Sequence, residues 1–253
     1  MTALVQREFI MLYADHEQRR RQLTKLISRD VLLVDLDGTL TDPAEGIIGC
    51  FRFALDGVGR SAPPASDLTW IIGPPLRHSF AKLMGGTADV ERALAIYRSR
   101  YAKEGLFEAT VYDGAREMLA ELKSGGTRLF LCTSKPVVYA DRILRRFDLD
   151  PLFEAAYGAE LDGRFDDKGD LIALILSERA LDPNECVMLG DRKHDVTGAA
   201  LNGVPAIGAL WGYGGEEELR AAGAALLCAS PAEVPAALQN FPIARGSWQN
   251  AAP

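Results

Sequence analysis

Four consecutive apolar residues, Val31–Val34, run straight into Asp35-Leu-Asp37-Gly-Thr-Leu-Thr-Asp42. An uninterrupted apolar run this short, made of valine and leucine, predicts a strand buried on both faces, as parallel sheets require. The pattern recurs in Arg128-Leu-Phe-Leu-Cys-Thr133-Ser134-Lys135-Pro136 and in Cys186-Val-Met-Leu-Gly190-Asp191, each an apolar run ending in hydroxyl or acidic residues. Elsewhere the spacing turns helical. Leu171, Leu174, Ile175 and, less regularly, Ile172 predict a packed helix over 170–181. Segments 47–58, 76–83 and 89–101 carry apolar spacing for three or more helices. Strands alternating with helices predict an α/β fold with a parallel sheet.

The interval between the first two strand patterns is about ninety residues, far more than one crossover needs. It predicts a small, mostly helical domain over 46–112, inserted into a core domain formed by 31–45 and 113–238. Linkers 43–46 and 108–114 would be the hinges between the two. Residues 1–30 form an amino-terminal extension, helical or poorly ordered. Its Arg19, Arg20 and Arg21 follow the apolar run Phe9 to Tyr13, the reverse of a signal peptide. The tail over 239–253, rich in Gln, Asn, Pro, Gly and Ala, is expected to be disordered.

Composition adds limits. With 253 residues, 48% hydrophobic and 25% charged, the chain is long enough for one large core and a smaller domain. A net charge of -7 argues against a general nucleic-acid or acidic-membrane binder. No apolar run is long enough to span a membrane. Cys50, Cys132, Cys186 and Cys228 show no close pairing pattern, and two lie in predicted core strands. They read as reduced thiols of a cytoplasmic protein.

The chemistry starts at Asp35 and Asp37. They lie at the carboxyl end of a predicted strand, where open α/β sheets place ligands. Burying two acids there is costly unless a cation or a proton compensates, which is the first argument for a metal site. Gly38 lets the chain turn, so that Asp35 can approach an electrophile while Asp37 reaches a leaving-group oxygen.

The string from Asp35 to Asp42 resembles the first motif of the haloacid dehalogenase-like phosphohydrolases, and the other motifs follow in order. Thr133-Ser134 is similar to the second, Lys168 in Gly163-Arg-Phe-Asp-Asp-Lys168 to the third, and Gly190-Asp191-Arg-Lys-His-Asp195 to the fourth. The resemblance covers roughly residues 31 to 232 and implies a Rossmann-like core with helices on both faces of the sheet. It also implies roles. Asp35 would be the nucleophile and Asp37 the leaving-group acid and base. Thr133 would hydrogen-bond a phosphoryl oxygen, with the Ser134 amide as a further donor. Lys168 would hold nucleophile and phosphate together, with Arg164 as its competitor. Mg²⁺ would be bound by Asp35, Asp191 and the Asp37 carbonyl. Asp195 would support Lys168 or a metal-bound water. His194 reads as an exposed helix residue rather than a ligand.

The activity implied is Mg²⁺-dependent hydrolysis of a small phosphorylated metabolite through an aspartyl-phosphate. Phosphoglycolate phosphatase is the leading candidate, and nucleoside 5′-monophosphatase the alternative. Asp37 argues against a dehalogenase, and Gly190 stands where the phosphoglucomutase branch has glutamate. A catalytically lost phosphate-binding protein is disfavoured because both first-motif acids and the lysine are present. In the inserted domain, which resembles the family's small helical cap, Ile72-Gly73-Pro74-Pro75-Leu76-Arg77 resembles the substrate-facing loop. Arg77 either contacts the substrate beyond its phosphate or is a solvated helix-start arginine. Trp70, Phe80 and Tyr97 are the cap aromatics available to a base, although no pair stands out as a clamp.

Overall fold

Val31–Val34 forms β1, the innermost strand on which the site is built. A computed structural model describes residues 30–86 and 89–241. β1 pairs in parallel with β4 (Arg128–Pro136) on one side and β6 (Cys186–Gly190) on the other, with Val34 opposite Leu131 and Leu189. Adding β5 (Ala155–Ala159), β7 (Ala206–Ala209) and β8 (Leu226–Cys228) gives a six-stranded parallel sheet of order β5-β4-β1-β6-β7-β8.

Side chains on these strands alternate between two separate cores. Leu32, Val34, Leu129, Leu131, Val187 and Leu189 enter one cluster, and Val31, Leu33, Phe130, Cys132, Cys186 and Met188 the other. Helices α4 (Ala115–Ser124), α5 (Val137–Arg146) and α9 (Val234–Gln239) supply residues to the first. Helices α6 (Lys168–Glu178), α7 (Lys193–Leu201) and α8 (Gly215–Ala221) supply the second. With both faces covered, neither surface of β1 needs polar residues, which is why its apolar run is unbroken. The expected doubly covered α/β sheet is the observed one.

The long interval folds as helices α1 (Ala44–Gly57), α2 (Leu76–Met84) and α3 (Val90–Arg100), which continues as a π turn over Tyr101–Gly105. Their shared core includes Phe51 stacked on Phe80 at 4.0 Å, with Tyr97 edge-on to Phe80 at 6.3 Å. The two connections to the sheet pair with each other as a short antiparallel ribbon, β2 (Thr41–Asp42) with β3 (Thr110–Val111). The first connection is shorter than expected. Asp42 Oδ1 accepts the Ala44 N–H at 3.0 Å and starts α1 there, inside the expected hinge 43–46.

The disordered tail expected over 239–253 needs correction at its start. Gln239 ends α9 and Phe241 is 7% exposed, packed into the first core. Polar composition around one aromatic residue concealed that docking. The expectation for residues 1–29 and for 242–253 lies outside the described residues.

Candidate active site

Asp35 follows the last residue of β1, and its N–H donates to Leu189 O of β6 at 2.9 Å, so it is held as an extension of the strand. Thr133 on β4 and Asp191 just after β6 arrive at the same sheet end. Gly38 turns the chain back at a φ of +84°, and a Cβ there would lie 2.2 Å from Asp191 Oδ2. Only glycine allows that turn and that approach together.

Lys168 is the first residue of α6. Asp167 caps the helix by accepting the N–H groups of Gly169 (2.8 Å) and Asp170 (3.2 Å), which aims Lys168 inward. Its Nζ donates to Asp35 Oδ1 at 2.9 Å and Cys132 O at 2.9 Å, and it forms an ion pair with Asp195 Oδ1 at 2.8 Å. Its side chain is 3% exposed. Burial opposes its charge, but Asp195 and Asp35 hold Lys168 protonated, above the ordinary lysine range. Arg164 does not compete: it is exposed and its partner is Glu160.

Asp195 accepts the Arg192 N–H at 3.1 Å and pairs with the Lys168 ammonium at 2.8 Å. It packs against position 190 so closely that a Cβ there would meet its carboxylate carbon at 2.2 Å. A side chain at 190, such as the glutamate of the mutase branch, has no room. Asp191 is fully buried and receives Thr39 Oγ1 (3.2 Å) and the Tyr213 N–H (2.8 Å). Burial, then the charges of Asp195 and Asp35, push its carboxyl well above the usual range.

Carboxylate oxygens of Asp35, Asp191 and Asp195 all lie within 4.8 Å of one another. Three hard anionic ligands this close suit a divalent cation that prefers oxygen.

Asp37 is buried. Burial pushes its carboxyl upward, with Lys135 opposing. It borders a cavity of about 70 Å³ between sheet and cap, lined also by Pro74, Tyr97, Tyr101, Lys135 and Tyr139. That is room for roughly five waters. Thr133 is buried, its Oγ1 accepting the Lys135 N–H at 3.2 Å, and Ser134 lines the same cavity. Arg77 also borders it, but its guanidinium forks onto Glu91 of α3 at 2.7 and 3.1 Å.

Of the cap aromatics, Phe80 is closed into the cap core, and Trp70 lies in an outer cleft beneath Lys82, 4.5 Å from its ring. His194 is half-buried rather than exposed, and burial followed by Arg192 and Lys193 lowers its pKa. All four cysteines are buried and none is in a disulfide, and burial pushes the Cys132 thiol up to about 12. Among the described residues no helix is long and apolar enough to cross a membrane.

Several groups at the site were not singled out from sequence: Lys135, Thr39, Tyr101, Arg98 and Arg192. Lys135 had a signal, since it lies two residues beyond Thr133, one strand period away. The two arginines tie the helical segment of α1–α3 to the sheet, one donating from each side. Arg98 of α3 donates to Leu161 O beyond β5 at 2.8 Å, and Arg192, paired with Glu218 at 2.9 Å, donates to Ile72 O. Removing one such hydrogen bond costs about 0.5–1.5 kcal/mol. If closure precedes chemistry, Arg98→Ala is expected to raise KM about 2–10-fold with little change in kcat, as read by steady-state kinetics. An unchanged KM would show that this contact does not hold the closed cap.

The geometry can be set beside known proteins. The sequence pattern of the Haloacid dehalogenase-like hydrolase family matches residues 32–209. A 5′-nucleotidase of Pseudomonas aeruginosa is 43% identical over 210 residues, spanning 83% of this chain and 95% of that protein. Tyrosine-protein kinase PtkA of Mycobacterium tuberculosis is 41% identical over 187 residues, or 74% of this chain, and the match spans only 64% of that protein. The crystal structure of a predicted phosphatase from Clostridium acetobutylicum superposes with a TM-score of 0.79 at 37% identity, covering 81% of this chain and 95% of that one. By its sheet order, its four motifs converging at one sheet end, and these likenesses, the chain belongs to the haloacid dehalogenase-like hydrolases and is a phosphatase of that family.

Proposed function

We propose that this phosphatase hydrolyses a small phosphomonoester in a Mg²⁺-dependent reaction through an aspartyl-phosphate on Asp35. The observation that carries the proposal is the buried Asp35–Lys168–Asp195 cluster beside Asp191, with Asp37 bordering a small cavity. Asp35 and Asp191 would hold the cation through their carboxylates, and Asp37 through its carbonyl as the resemblance implies. When bound, Mg²⁺ would neutralise charge on the phosphoryl oxygens.

In the first step an Asp35 oxygen bonds to phosphorus as the ester P–O bond breaks, and Asp37 gives its proton to the departing oxygen. Lys168 keeps the nucleophile in line and offsets charge on the transferred group, while Thr133 and the Ser134 amide orient it. In the second step Asp37 takes a proton from water, which attacks the phosphorus and releases phosphate from Asp35. A cavity holding roughly five waters favours water over a protein hydroxyl as acceptor.

The same cavity favours a leaving group of two or three carbons, as in a phosphoglycolate phosphatase. Pockets for larger ligands occupy about 300–1,000 Å³, and the neighbouring cleft of about 470 Å³, lined by Ser134 and Lys168, has room for a nucleoside. The 43% identity to a protein named 5′-nucleotidase favours that second reading. Phosphate release should be measured from phosphoglycolate, nucleoside 5′-monophosphates, sugar phosphates and pyrophosphate, with Mg²⁺ and with chelator. Turnover is expected with Mg²⁺ and should fall about 100-fold or more with chelator. A folded, Mg²⁺-loaded protein that turns over none of them would overturn the catalytic reading in favour of a binding or regulatory one.

A further inference from the structure

Resting on that phosphomonoesterase reading, we infer that Lys135 is a positioning residue for the leaving-group acid Asp37, and that the cap completes its setting through Tyr101. The Lys135 side chain is 5% exposed, and its Nζ lies 2.8 Å from Asp37 Oδ2. The same ammonium donates to the Tyr101 hydroxyl, which comes from the cap at the start of the π turn. Tyr101 is itself braced, stacked on Tyr97 at 5.2 Å and edge-on to Tyr139 at 5.5 Å. The base of Lys135 is fixed from the core side, where its N–H rests on Thr133 Oγ1.

This leaves the two oxygens of Asp37 in different situations. Oδ2 is tied to Lys135, whereas Oδ1 is buried without a hydrogen-bond partner among the described residues. A buried carboxylate oxygen without a partner is costly and calls for an explanation. Asp37 borders the small cavity, so a leaving-group oxygen placed there would supply what Oδ1 lacks. Lys135 thus fixes which oxygen is free and where it points. Because one of its contacts belongs to the cap, that alignment is complete only with the cap closed.

A residue that merely neutralises charge would affect all substrates alike, whereas one that aligns the acid matters in proportion to how badly the leaving group needs a proton. As the P–O bond breaks, an alkoxide requires the Asp37 proton, but p-nitrophenolate leaves without it. The experiment compares kcat/KM, which reports the step that expels the leaving group, for p-nitrophenyl phosphate and for the best alkyl phosphate of the panel. General acid catalysis is worth about 10²–10⁴-fold, so Lys135→Met is expected to lower the alkyl value about 100-fold. The aryl value should fall much less, so that the aryl-to-alkyl ratio rises at least about tenfold. Lys135→Arg should restore part of the ratio, and Tyr101→Phe should raise it in the same direction by a smaller factor.

Equal losses on both substrates in Lys135→Met would overturn the inference. Should that variant not fold, an unchanged ratio in Tyr101→Phe would overturn it equally. A wild-type protein inactive on every ester would instead refute the phosphomonoesterase reading.

Discussion

Asp35→Asn is expected to lose at least about four orders of magnitude in turnover while keeping its stability. The loss follows from chemistry: an amide oxygen cannot form the covalent intermediate, and no neighbouring group can replace it. Asp191 is held by Thr39 and Tyr213, and Asp195 by Lys168 and Arg192. Retained stability follows from charge. Three carboxylates with oxygens inside 4.8 Å repel one another, and the substitution removes one of them. Lys168 would keep Asp195 at 2.8 Å, so no buried cation is stranded. Thermal unfolding in chelator should place the variant within about 3 °C of wild type, or above it. Added Mg²⁺ should raise its Tm less than it raises that of wild type, because a ligand that binds only the folded state stabilises according to its affinity. A folded Asp35→Asn protein with substantial turnover would remove Asp35 from the mechanism.

How much of this was legible depended on whether a residue's role follows from its own segment. Asp35, Thr133 and Asp191 each terminate an apolar run, and parallel pairing of three such runs puts their ends together. The strands could therefore be read, and with them the site they build. Lys168 could be placed by motif order, and the Asp167 cap explains why a residue type that usually faces water turns inward here. Contacts that cross between cap and core were not legible. Tyr101 reaches Lys135 only because α3 runs on into a π turn, and Arg192 reaches Ile72 only when the cap stands over the sheet. Neither distance in space is encoded in a local period. Phe241 escaped for a related reason: isolated apolar residues among Gln, Asn, Pro, Gly and Ala carry no periodicity, and its burial depends on a core assembled from distant segments.

Lys168→Met is expected to produce the largest loss of stability among single changes at the site, together with a loss of at least about 10³-fold in kcat. Methionine retains the length and apolar stem, so packing is not the cause. What disappears is a cation that donates to Asp35 Oδ1 and Cys132 O and pairs in charge with Asp195. Breaking a buried pair by removing one partner costs about 3–5 kcal/mol, because the remaining charge stays buried without compensation. For a domain of this size each kcal/mol is worth about 2–4 °C, so Tm should fall by about 6–20 °C. The physical origin can be isolated with a second substitution. If stranded negative charge is responsible, adding Asp195→Asn to Lys168→Met should recover part of the lost stability without any recovery of activity. Were the lysine merely a packing element, the second substitution would add its own cost instead. The sign of that coupling, read from denaturant unfolding of both single variants and the double, therefore decides between charge and packing. Mg²⁺ offers a parallel check, since a divalent cation beside Asp35 and Asp191 should offset part of the same excess charge and raise the Tm of Lys168→Met more than that of wild type.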